Sequence, residues 1–149
     1  MATQIREPVL LTGAGFTRNF GGYLAKQMWE KIFNHEQVHN YPSLVNLLKD
    51  NLDFESVYNE VMNGNGYTSE AQAALNQAVN SAYAQLDDVT RNYWAPSAYF
   101  VSQPPVSRQG FNELLDLFGS KGRSKGYIFT LNQDLFVERW HSEERKLLR

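Results

Sequence analysis

The sequence contains no cysteine. That excludes disulfides, a thiolate nucleophile and a zinc site built on thiolates, and it suits a reducing cytoplasm. Neither sign of charge is in excess, with 14 Lys and Arg against 16 Asp and Glu and a net charge of −2. Such a balance lacks the basic footprint that a phosphate backbone demands, so nucleic acid is not an expected partner. Long apolar runs are missing too. No segment approaches the roughly 20 residues of a membrane-spanning helix, and the N-terminal MATQIREPVLL carries no cleavage-like stretch, so a soluble cytoplasmic protein without membrane contact is expected. Proline is scarce, yet Pro96, Pro104 and Pro105 fall close together and predict irregular backbone from Trp94 to Pro105.

What is present suffices for a core. Of 149 residues, 42% are hydrophobic and 13% aromatic, and the length is near the commonest for one domain. Val9-Leu10-Leu11-Thr12, between Pro8 and Gly13, predicts a short buried strand. Leu24, Met28, Trp29, Ile32 and Phe33 share one helical face, opposite Lys26, Gln27, Glu30 and Lys31. A loop from His35 to Pro42 follows, then two helical stretches between Ser43 and Met62, the second capped by Asp53. Asn63-Gly64-Asn65-Gly66 links helices through residues that tolerate positive φ. Thr68-Ser69 opens the longest helix, with Gln72 spaced from Ser69 for a capping box. Its stripe of Ala71, Ala74, Leu75, Ala78, Ala82, Leu86, Val89 and Tyr93 is lined mainly by alanine. Ser107 caps a helix bearing Phe111, Leu114, Leu115, Leu117 and Phe118, which stops at Gly119. Tyr127 to Leu131 predicts a second strand, and Phe136, Val137 and Trp140 a closing helix.

The order predicts an α/β fold, helix-rich overall: the start of a doubly wound, Rossmann-like parallel sheet with a large helical insertion. In such sheets ligands bind beyond the carboxyl ends of the strands, where both polar turns of this chain lie. The first turn, Thr12-Gly13-Ala14-Gly15-Phe16-Thr17, leads into a helix. Its glycines either let backbone N–H groups approach a phosphate or allow a tight turn. It is neither the common dinucleotide fingerprint, since Arg18 stands at the third glycine position, nor a Walker loop. The second, Thr130-Leu131-Asn132-Gln133-Asp134, offers short polar side chains either to a ribose, a carboxamide or a water, or as a helix cap.

Together the two turns resemble the GAGxS and TxNxD motifs of the sirtuin-like NAD-binding domain, with Thr17 in place of serine. Trp29 falls where the prokaryotic, non-deacylase branch often carries a Gly-x-Pro-x-Trp pattern, here without its proline. The resemblance implies an incomplete sirtuin-like domain over residues 1–149, with residues 43–105 as the helical insertion. It implies NAD as substrate, NAD or ADP-ribose as ligand, and cleavage of the nicotinamide–ribose bond, an activity that serves anti-phage defence in prokaryotic relatives. Gly13, Ala14, Gly15, Phe16 and Thr17 would hold the pyrophosphate, Asn132 would orient the attacking group, and Asp134 would contact the nicotinamide amide or ribose. Leu131 stands where deacylases carry a glutamine, and the absence of cysteine excludes their zinc module, so water rather than acetyl-lysine is the expected attacking group. The family's basic histidine lies well beyond TxNxD. The only histidine after the motif is His141, in the charged run HSEERK, so impaired turnover is expected.

Two other functions fit the residues. One is a non-catalytic interaction module whose alanine-lined helix packs on a second copy or another chain. The other is a zinc metalloprotease, because His35-Glu36-Gln37-Val38-His39 fits H-E-x-x-H literally, although no third ligand is evident and no metal is expected on balance. Tyr93, Trp94, Tyr99 and Phe100 are candidates for a ring pocket or a core, and Arg18 and Arg123 for phosphate contact or solvation.

Overall fold

The computed structural model describes residues 7–93, 107–118, 126–132 and 136–139. Along the chain run β1 (Val9–Thr12), α1 (Ala14–Arg18), α2 (Ala25–Phe33), α3 (Glu36–His39), α4 (Pro42–Asp50), α5 (Phe54–Asn63), α6 (Ser69–Arg91), α7 (Arg108–Phe118) and β2 (Tyr127–Thr130). Residues 136–139 are helical. The protein is thus helix-rich with a small parallel sheet. Among the described residues no helix is long and apolar enough to cross a membrane. Contacts divide the chain into a helical unit, Tyr23–Asp88, and a sheet unit made of Met1–Gly22 with Val89–Arg149.

In the sheet unit, strands separated by more than a hundred residues pair in parallel, Val9 opposite Tyr127 and Thr12 opposite Thr130. The Tyr127 N–H donates to the Pro8 carbonyl and the Leu131 N–H to that of Thr12, each at 2.9 Å, which carries the ladder past both ends. Strand alternation then separates two faces. Ile128 packs against a core of Phe20, Phe111, Leu115 and Phe136. On the other face Val9 and Leu11 are 56% and 61% exposed and Phe129 is 53% exposed. The expectation of a buried β1 is therefore corrected to a strand covered on one face. Phe20 is the hub of the core, its ring 4.5 Å from Phe136 and 4.9 Å from Phe111 between centroids. In α7, Phe111 and Leu115 are buried but Leu117 is exposed, because only the i, i+4 pair reaches that core. The Ser107 hydroxyl accepts from the Gly110 N–H at 3.0 Å, as its capping position predicts.

The helical unit is built on amphipathic faces. Met28 and Ile32 of α2, Leu44 and Leu48 of α4, and Phe54, Val57 and Val61 of α5 are buried with the alanine stripe of α6. Ala71, Ala74, Ala78 and Ala82 are buried inside this unit. Asp53 caps α5, its Oδ1 accepting from the N–H groups of Glu55 and Ser56. Three local expectations are corrected. The stretch His35 to Pro42 includes the single turn α3. Gly64 has φ −82°, so the Asn-Gly link does not use positive φ there. The cap of α6 is Thr68, whose hydroxyl accepts from the Ala71 N–H, while Gln72 donates its side-chain amide to the Val61 carbonyl instead of closing a box with Ser69. Trp29 likewise serves packing, with Nε1 donating to the Leu48 carbonyl at 3.0 Å and its ring stacked on Phe33.

Candidate functional site

Parallel pairing places the carboxyl ends of β1 and β2 side by side, so the turns that follow them start as neighbours. After β1, Gly13 has extended backbone (φ −141°) and is the N-cap of α1. After β2, the Thr130 hydroxyl accepts from the Asn132 N–H at 3.0 Å, bending the chain in a side-chain-stabilised turn. The Asn132 carboxamide then reaches across, its Nδ2 donating to the Thr17 Oγ at 2.6 Å. The two motifs identified in the sequence are thereby joined by a direct side-chain bond.

The residues of the first turn take different parts. Ala14 and Gly15 are exposed on the first turn of α1, where helix geometry leaves N–H groups without a carbonyl a turn back. Among the described residues, a Cβ built on Gly13 or on Gly15 meets nothing within 4 Å. Positive φ is confined to Gly21 among the glycines described. Neither packing nor backbone conformation therefore requires glycine at 13 or 15, and the tight-turn explanation of these two residues is not what the geometry displays. Gly21 and Gly22 differ. Gly21 has φ +81° with Val89 beside it, and a Cβ on Gly22 would lie 2.6 Å from the Thr17 Cγ2 and 2.7 Å from the Thr17 carbonyl oxygen.

Two of the residues expected at the ligand are turned inward. Thr17 is only 2% exposed, and its hydroxyl accepts from Asn132 inside the protein. Phe16 turns its ring toward Phe20 and Phe111, and its N–H donates to the Gly13 carbonyl at 2.7 Å. Gly13, Ala14, Gly15 and half-buried Asn132 remain at the strand ends. Asp134, Gln133, His141, Trp94, Tyr99, Phe100 and Arg123 lie outside the described residues. Tyr93 packs edge-on against Phe20, in the core.

The metalloprotease arrangement is not formed. His35 has extended backbone at the N-cap of α3, and its Nδ1 accepts from the Gln37 N–H, so it does not share a helical face with His39. The His39 ring packs edge-on against Phe33. His35 and Glu36 line an open groove with Glu30, Lys31, Asn34 and Gln85. Among the described residues no three His, Asp or Glu side chains gather as a metal would require. Comparison with family models, with curated proteins and with solved structures yields no match to this chain.

Proposed function

We propose that the sheet unit is a Rossmann-like, sirtuin-type unit that binds NAD or ADP-ribose at the carboxyl ends of β1 and β2. The single observation that carries this reading is the Asn132 to Thr17 hydrogen bond, which couples the GAGFT and TLN turns at one end of a parallel sheet. Glycines 13 and 15, whose added Cβ would meet nothing among the described residues, support it by leaving room for phosphate oxygens to approach the backbone. Gly13, Ala14 and Gly15 then hold the pyrophosphate, and Asn132 stands toward the ribose. Asp134 follows in the same segment and is assigned to the nicotinamide end by its place in the motif.

The chemistry proposed is attack of water at the ribose carbon that bears nicotinamide, with nicotinamide leaving as a neutral molecule. The transition state resembles an oxocarbenium ion, so fixed polar groups favour it by positioning water and countering positive charge. The test is NAD hydrolysis measured by nicotinamide release, with Asn132→Ala beside the unaltered chain. Turnover abolished in the variant supports the assignment, and turnover that survives Asn132→Ala removes it.

A further inference from the structure

We infer that Thr17 is the positioning residue of this site, holding the Asn132 carboxamide with its nitrogen inward so that Oδ1 is the atom presented to a ligand. The Thr17 hydroxyl accepts from the Asn132 Nδ2 at 2.6 Å and is almost wholly buried, so water does not compete for that bond. Among the described residues Oδ1 accepts no hydrogen bond. A carboxamide whose donor end is occupied works as an acceptor and selects groups that donate, such as a ligand hydroxyl or a water molecule.

Threonine suits this task better than a freer hydroxyl side chain. Its branched Cβ restricts χ1, and its Cγ2 fills the space that Gly22 leaves by lacking a Cβ. Any residue other than glycine at 22 would press on that methyl group and on the Thr17 carbonyl. Three residues thus form one device: Gly22 makes room, Thr17 is fixed in one rotamer, and Asn132 is oriented. The positioning claim stands on the sheet unit alone, whereas the ligand it serves rests on the nucleotide reading above.

The test uses the full chain labelled with nitrogen-15, comparing Thr17→Val, Thr17→Ser and Asn132→Ala. The Asn132 side-chain amide protons should be well dispersed and slow to exchange in the unaltered protein, move to solvent-like positions in Thr17→Val, and recover in Thr17→Ser. Titration with ADP-ribose should show affinity weakened about tenfold by Thr17→Val, largely restored by Thr17→Ser, and not weakened further when Thr17→Val is added to Asn132→Ala. Fast-exchanging Asn132 amide protons in the unaltered protein, or a Thr17→Val spectrum with that signal unchanged, would overturn the proposal. So would losses that simply add in the double variant. If the unaltered chain binds no ADP-ribose, the nucleotide reading falls, and the amide signal by itself upholds or overturns the positioning role.

Discussion

Asn132 and Thr17 stand 115 positions apart in the chain and are joined by a 2.6 Å hydrogen bond in which the asparagine donates and the buried threonine hydroxyl accepts. The partners differ in exposure, and that makes the bond asymmetric. Asn132→Ala leaves the Thr17 hydroxyl buried without its acceptor role and should cost about 1–3 kcal/mol. Thr17→Val leaves the half-buried Asn132 nitrogen within reach of water and should cost less, under about 1 kcal/mol. Urea denaturation of both variants checks the order, which equal costs would contradict.

The glycines of the sheet unit should fall into two groups on substitution. Gly15→Ala places a methyl group in open space on a helix, so stability should stay level or rise by up to about 1 kcal/mol. The same methyl group narrows the approach to the backbone and should abolish ADP-ribose binding. Gly22→Ala drives a Cβ to 2.7 Å from a backbone oxygen that cannot swing away, so it should destabilise by about 1–3 kcal/mol. Melting temperatures of the two variants give the comparison directly.

The start of α6 should respond to acid. The Glu70 carboxyl is held below the usual carboxylate range, first by a hydrogen bond from its own backbone N–H and second by the Thr68 hydroxyl. A lowered value in the folded protein means that the unfolded chain takes up the proton more readily. The contribution is therefore complete above the ordinary glutamate range, near pH 4–5, and is lost as pH falls through the folded value. Protection of the Ala71 and Gln72 amides, relative to intrinsic exchange at each pH, should fall across that window, and Glu70→Gln should make that protection insensitive to this titration.

Much of this architecture was legible because local chemistry decides it. The run VLLT before Gly13, the Asp53 cap, the Ser107 cap and the helical face of Met28 and Ile32 follow from spacing and side-chain chemistry over a few residues. The sequence does not reveal what covers an apolar run, which is why Val9 and Leu11 of β1 were expected to be buried. A motif lists residue types without the directions in which they point, so the burial of Thr17 is visible only in the fold. Its inward placement follows from α1, which sets Thr17 on the side of the helix opposite exposed Gly15. The role of Gly22 as space for the Thr17 methyl group depends on a contact visible only in the fold. Thr68 caps α6 because the helix begins at Ser69, and Gln72 meanwhile reaches the Val61 carbonyl of α5, a contact between helices that local spacing does not reveal.

The central claim is that the two strand-end turns form a single nucleotide site, and it is tested most directly by titrating ADP-ribose into the nitrogen-15-labelled chain. The account predicts saturable shifts centred on the backbone amides of Gly13, Ala14 and Gly15 and the side-chain amide of Asn132, all absent in Gly15→Ala. A spectrum unchanged at millimolar ADP-ribose, or Gly15→Ala binding as tightly as the unaltered protein, would contradict it.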